Sequence, residues 1–151
     1  MPGYLGELLG TVRFIAVAHP DHALHQLGRE LDLRDLRQYR QIVIRDSGLR
    51  YQGDSGWLKA EQRWTVSHVA TALDILTRGL GFAWVSQTRV QPLLDEQRLK
   101  ALPLQAGGVR EVPLSLFLSD IDGAGPAVQA MAEALRTSFA NAGAYRCQVA
   151  F

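Results

Sequence analysis

The stretch Arg63–Ser86, RWTVSHVATALDILTRGLGFAWVS, leaves the chain around it few ways to fold. Trp64, Thr65 and Val66 are aromatic or β-branched and suit a short strand. Ser67 stands where a helix N-cap belongs, its hydroxyl able to accept from an N–H of the first turn. Val69, Ala72, Leu73, Leu76 and Leu80 recur at spacings of three and four, one apolar stripe on a helix. Gly79 is placed to end that helix in the left-handed conformation, and Phe82–Val85 reads as a buried strand. Two strands joined by a crossover helix run parallel with a right-handed connection, so the stretch is a βαβ unit of an α/β sheet. Ligands of open α/β sheets gather outside the carboxyl ends of the strands, where helix N-termini point. Here that end is marked by Val66, Ser67 and His68.

The flanking sequence supplies more of the sheet. Val12–Ala18 alternates, with Phe14, Ala16 and Ala18 on one face and Ile15 and Val17 on the other. Both faces are apolar, so this strand should be covered on both sides. His19-Pro20-Asp21-His22 is a turn, because Pro20 pushes its predecessor out of the helical region. Asp32 reads as the N-cap of a short helix that turns Leu33 and Leu36 inward, and Gln41–Arg45 as a strand ending at Asp46, Ser47 and Gly48. A polar loop with Gly48, Gly53 and Gly56 leads to Trp57-Leu58, one helical turn. Thr88 can cap a helix to about Gln97 that buries Val90, Leu93 and Leu94; Leu99, Ala101 and Leu102 form a short strand, and Ala106-Gly107-Gly108 a turn. Val112–Ser119 puts Val112, Leu114, Leu116 and Leu118 on one strand face, with Pro113 marking an edge or a beginning. Pro126 opens a last helix striped by Val128, Met131, Ala132, Leu135 and Phe139. Residues 1–11 read as a tail, a linker or an interrupted element, and residues 141–151 as a tail.

Composition narrows the class. With 16 basic and 15 acidic side chains the formal charge is only +1, which does not suggest a dedicated nucleic-acid surface. No stretch reads as a membrane span, and residues 1–30 lack the basic start and apolar core of a signal peptide. A single cysteine, Cys147, rules out an internal disulfide framework. Together these features favour the cytoplasm.

Taken in order, FIAVAHPDHAL, LDLRDLRQYRQIVIRDSG, the central βαβ stretch, VQPLLDEQRLKALPL, PLSLFLSD and the apolar last helix carry a resemblance over Val12–Phe139. The chain resembles the effector-binding (substrate-binding) domain of LysR-type transcriptional regulators. The resemblance implies an α/β fold like that of type II periplasmic binding proteins. The second subdomain would span about 23–111, the hinge strands 12–18 and 112–119 would lie side by side, and the helix 126–140 would be the C-terminal piece of the first subdomain. Family members begin with a winged helix-turn-helix, which is not visible here, so the chain is expected to be a fragment lacking that domain and most of the first subdomain. It departs from the family at Ser86-Gln87, where a proline is usual, and at Gln97, where a glycine is expected. Without the sheet it normally covers, the last helix should expose apolar surface on Val128, Met131, Leu135 and Phe139, relieved by self-association.

What the resemblance implies for function is a small-molecule effector bound between subdomains, with DNA binding controlled through rearrangement of a homo-oligomer. The site carried over comprises Arg45, Asp46 and Ser47 at one strand end and Val66, Ser67 and His68 at the helix start. Backbone N–H groups and the helix dipole suit a carboxylate or another anion, and Arg45 or Arg50 could add a bidentate contact. Set against this, Ser67 could be only a cap, Arg50 a solvated loop residue and His68 a surface residue. The implied partners are the effector, DNA only through the helix-turn-helix domain, and further copies of the chain; no cofactor, metal or membrane is implied, and the protein is expected not to be an enzyme. The alternative is a small-molecule receptor of the same fold with no DNA-linked role.

Other motifs carry less. Gly53-Asp54-Ser55-Gly56 is similar to the nucleophile segment of chymotrypsin-like proteases, but Trp57 follows instead of glycine and nothing specifies a base held by a third group. His19, His22 and His25 are spaced three apart, as a metal cluster could be, but the turn at Pro20 breaks the helix that would align them. Gly79-Leu80-Gly81 follows its helix, the reverse of what pyrophosphate binding requires. Cys147 has no base nearby, and Trp57, Trp64 and Trp84 are flanked by aliphatic residues, as packing residues are.

Overall fold

The computed structural model describes residues 6–45, 59–118 and 123–147. In chain order these form β1 (Glu7–Ala18), β2 (Gln41–Ile44), β3 (Arg63–Val66), α1 (Val69–Thr77), β4 (Phe82–Ser86), α2 (Gln87–Asp95), β5 (Lys100–Ala101), β6 (Val109–Leu116) and α3 (Pro126–Cys147). Two short 3-10 helices, Ala23–Leu27 and Asp35–Gln38, follow β1. The strands make one sheet in the order β3-β2-β4-β1-β5, with β6 also paired to β1. The chain divides into two units, residues 13–110 and a smaller one of residues 1–12 with 111–151.

In the larger unit, β2 runs parallel to both β3 and β4. The βαβ unit is therefore present, but its strands are not neighbours: β2 lies between them. The central place goes to the strand that is buried: Gln41 and Ile42 of β2 are buried, whereas Arg63, Trp64 and Thr65 of β3 are exposed at the edge. Strand β4 pairs antiparallel with β1, Phe14 opposite Ser86 through Ala18 opposite Phe82. The other edge of β1 takes β5, Val17 opposite Ala101.

The alternation read in Val12–Ala18 divides the core as expected. Ile15 and Val17 point into a cluster with Ile42, Ala72, Leu76, Ala83, Val85, Val90 and Leu99. Ala16 and Ala18 point into a second with Leu24, Leu31, Leu36, Ala60, Phe82 and Leu102. Trp84 closes this side, its indole N–H donating to the Gly107 carbonyl at 2.8 Å. Trp64 departs from expectation: it stands on the edge strand, 43% exposed, with the Arg40 guanidinium 3.9 Å over its ring. An edge strand has a neighbour on one side only, so a flat aromatic there is covered by a cation instead of a core.

Both crossover helices stop the same way. After α1, the Gly79 N–H donates to the Leu76 carbonyl at 3.0 Å and the Leu80 N–H to the Ile75 carbonyl at 3.4 Å. After α2, the Gln97 N–H donates to Leu94 at 3.1 Å and the Arg98 N–H to Leu93 at 2.9 Å. This is the paired-bond C-terminal motif whose first residue past the cap is left-handed. Gly79 takes φ 76 and Gln97 φ 59. Gly81 serves otherwise: a Cβ there would lie 2.7 Å from the Arg40 carbonyl oxygen, which accepts from Phe82 N–H where β4 meets β2.

Several local boundaries differ from the sequence reading. Strand β1 starts at Glu7, so part of the supposed N-terminal tail is strand, and α3 continues to Cys147 past the expected end at 140. Asp32 does not cap the helix directly. It opens the preceding turn, its carboxylate accepting from Arg34 N–H and its carbonyl from Asp35 N–H, so that Arg34 is the cap. Thr88 lies inside α2, whose cap is Ser86, because strand and helix join without a loop. The Gly48–Gly56 loop and Trp57-Leu58 lie outside the described residues.

In the smaller unit α3 accompanies the first half of β1. Phe139 lies against Gly10, and the Arg136 guanidinium forks onto both Glu7 carboxylate oxygens at 2.9–3.0 Å while also reaching Glu133. Ala132 is its only fully buried apolar residue among those described; Val128 and Met131 are 47% and 64% exposed, as expected, whereas Leu135 and Phe139 are half-buried.

The matched helix ends give a direct test. A left-handed non-glycine residue costs about 1–2 kcal/mol, against about 0.4–1 kcal/mol of unfolded-chain entropy that glycine adds. Gln97→Gly should therefore raise the unfolding free energy measured in urea, by up to about 1 kcal/mol, and Gly79→Ala should lower it by a similar amount. A loss of stability in Gln97→Gly would contradict this account of the α2 terminus.

Candidate functional site

Strands β2, β3 and β4 are parallel, so their carboxyl ends share one edge of the sheet. The β2–β3 ladder runs from Gln41 opposite Arg63 to Ile44 opposite Val66. One more bond follows it, from the Arg45 N–H to the Val66 carbonyl at 2.7 Å. That bond brings Arg45 beside Val66, with Ser67 and His68 next in the chain. Arg45, Ser67 and His68 are exposed and Val66 is half-buried. Asp46, Ser47 and Arg50 lie outside the described residues.

Ser67 is not the N-cap of α1. The first carbonyl inside the helix is that of His68, which accepts from Ala72 N–H at 3.2 Å, so Ser67 sits one residue before the cap. His68 has extended backbone, φ −133 and ψ 141, and its side chain makes no cap bond. The N–H groups of Val69, Ala70 and Thr71 thus point out of the helix start without an intrahelical acceptor. The first turn carries no acidic residue.

A second helix start opens at the same edge. Helix α2 follows β4 directly, with Ser86 as its cap, no side-chain cap bond and no acid in its first turn. Placing the cap at Thr88 obscures this start. The signal that marks it in the sequence is Ser86-Gln87 itself, polar residues at a strand end where the resembling family has proline. Each helix start carries the equivalent of about half a positive charge. Arg45 adds a full one, and no carboxylate of the two first turns offsets them. Such an arrangement receives an anion through backbone N–H groups and charge.

Two other places hold groups that could carry chemistry. The histidines at 19, 22 and 25 are held by their own backbone: Asp21 N–H donates to His19 Nδ1 at 3.0 Å, Leu24 N–H to His22 Nδ1 at 3.1 Å, and His25 Nε2 donates to the Lys100 carbonyl at 3.2 Å. Among the described residues no group of three or more His, Cys, Asp or Glu side chains could hold a metal ion. In the smaller unit a cavity of about 390 Å³ is lined by Leu118, Ala124, Gln129, Ala132, Glu133 and Arg136. Its one cation, Arg136, is already forked between Glu7 and Glu133, which leaves it little capacity for a ligand.

Known proteins share this architecture. The family model of the LysR substrate binding domain matches residues 1–140. No curated protein matches the sequence. Among solved structures, full-length LysG from Corynebacterium glutamicum is similar with a TM-score of 0.67 and 16% identity, covering 93% of this chain and 47% of LysG. The structure of the same regulator with bound effector Arg gives 0.66 and 16%, covering 92% and 47%. ArgP from Mycobacterium tuberculosis gives 0.69 and 16%, covering 91% and 47%. At these identities the likeness concerns the fold, an α/β sheet of the type II periplasmic-binding-protein kind, and the chain spans about half the length of these relatives.

The unshielded start of α1 predicts an effect on stability. Thr71→Glu places a carboxylate in the first turn and should stabilise the protein by about 0.3–1 kcal/mol, read from urea unfolding at low ionic strength. Destabilisation would mean that the helix start is already neutralised.

Proposed function

This chain belongs to the LysR substrate-binding domain family, and from that premise we propose that it is the ligand-sensing part of a transcriptional regulator that binds a small anionic metabolite at the carboxyl end of β2, β3 and β4. The observation that carries this reading is the pair of helix starts at one sheet edge, uncapped by side chains and free of first-turn acids, beside Arg45. The effector of the structurally similar LysG is Arg, a net cation at neutral pH that carries one carboxylate, the group this edge is read as receiving. In this reading the backbone N–H groups of Val69–Thr71 and the Ser67 hydroxyl hold the anion, Arg45 pairs with it, and Val66 and His68 complete the rim; Asp46 and Ser47, also expected at the site, lie outside the described residues. The effector regulates by binding one arrangement of the protein better than another, since equal affinity would shift nothing. The domain works in the cytoplasm without catalysing a reaction, inside a homo-oligomer, and DNA is reached through the helix-turn-helix domain of the intact regulator. Exposed Val128 and Met131 on α3 favour the oligomer.

A thermal-shift and calorimetric screen of amino acids, dicarboxylates and inorganic anions tests the ligand class. At least one should raise the melting temperature saturably, and Arg45→Ala should weaken that ligand by about tenfold or more, the loss of one charge-assisted bond. Failure of every anion, or an unchanged Kd in Arg45→Ala, would contradict the proposed site. For the oligomer, light scattering should find a species larger than one chain that Met131→Glu dissociates; a monodisperse monomer would contradict it.

A further inference from the structure

The histidines that follow β1 do a job that depends on their protonation state. His22 caps the 3-10 helix Ala23–Leu27, accepting the Leu24 N–H at Nδ1 over 3.1 Å. A ring nitrogen that accepts a hydrogen bond carries no proton, so the cap exists only while the imidazole is neutral. Leu24, whose N–H is held, is 1% exposed and sits in the cluster with Ala16, Ala18, Leu31 and Leu36. The capped segment therefore docks one end of β1 to that core.

We propose that His22 is an acid-sensitive latch: protonating its ring removes the cap and releases the segment His19–Leu27 from the core behind β1. Among the described residues, the neighbours of His22 favour the neutral state and supply no anion that would hold a proton. Tyr39, from the residue after the helix Asp35–Gln38, puts its ring at 5.6 Å, tilted by 60°. His19 and His25 flank it in its own segment, and Lys100 on β5 faces His25. Asp21 is exposed, and its backbone N–H is given to His19 Nδ1. His25 differs, because its bond to the Lys100 carbonyl is a donor bond that survives protonation.

Burial, followed by the nearby His25 and His19, lowers the His22 pKa from its ordinary 6.5. A group lowered in the folded state binds more protons when unfolded, so the stability it contributes is whole above pH 6.5 and declines as pH falls below it. The same direction holds for His25, lowered chiefly by burial.

The test is an NMR titration of the whole chain from pH 8 to pH 5, with the stability of His22→Asn measured alongside; asparagine caps without titrating. The His22 ring should titrate below 6.5, the Leu24 amide resonance should follow the same midpoint, and its exchange protection, corrected for intrinsic rate, should fall roughly fivefold as the cap is lost. The acid loss of stability should be smaller in His22→Asn than in the parent, with the remainder owed to His25. A His22 ring titrating at or above 6.5, a Leu24 amide that ignores the titration, or coincident pH profiles for the two proteins would each overturn the latch. The ring and amide readouts need no variant, so a His22→Asn that fails to fold leaves the test intact.

Discussion

The larger unit depends on Ile15–Ala18 being buried from both sides. Successive side chains of this segment enter different cores, Ile15 and Val17 one, Ala16 and Ala18 the other. Burying each of the larger ones contributes about 1.5–3 kcal/mol. A slip of one residue would exchange the two sets, pressing β-branched side chains where alanines fit and leaving a void opposite. The register with β4, Phe14 opposite Ser86 through Ala18 opposite Phe82, is fixed by this requirement. The β5 pairing on the other edge is fixed with it.

Once β4 is set against β1, the direction of the rest follows. Strands β2 and β3 run parallel to β4, so each of the helices α1 and α2 starts at the same edge of the sheet. The ladder bond from Arg45 to Val66 brings a cation to that edge. Polarity there is thus a product of topology more than of any single motif. The smaller unit obeys the opposite economy. Its described residues bury one apolar side chain fully, Ala132, and leave Leu8, Phe117, Val128 and Met131 open. A two-stranded ribbon with one helix has too little to bury on its own.

Periodicity in the sequence accounts for much of this arrangement. The stripe Val69–Leu76, the two-faced alternation of Phe14–Ala18 and the left-handed end at Gly79 all appear where spacing places them, while the pairing of β1 with β6 is what the family resemblance implied. What spacing does not reach is finer or longer in range. Ser67, Asp32 and Thr88 have the right chemistry for caps, yet backbone geometry gives the cap to a neighbour each time. The place of β2 between β3 and β4 is a pairing choice that local pattern does not encode. Trp64 has a core-like composition around it and an edge position in the sheet. The α2 start is hard to read because strand and helix abut with no loop to announce a boundary. Of the residues proposed for the site, Arg45 and Val66 are neighbours for a reason visible only in three dimensions, the β2–β3 register, and Ser67 and His68 follow Val66 in the chain.

The most direct measurement is chemical-shift mapping of backbone amides on the intact chain during addition of whichever anion stabilises it most. Perturbations concentrated at Arg45, Ser67–Thr71 and Ser86–Thr88 are the predicted result, because those amides form the carboxyl edge of the parallel strands. Perturbations centred on the Glu7–Glu133–Arg136 cluster, or spread without focus over basic surface residues, would contradict the claim that topology builds the ligand site at this edge.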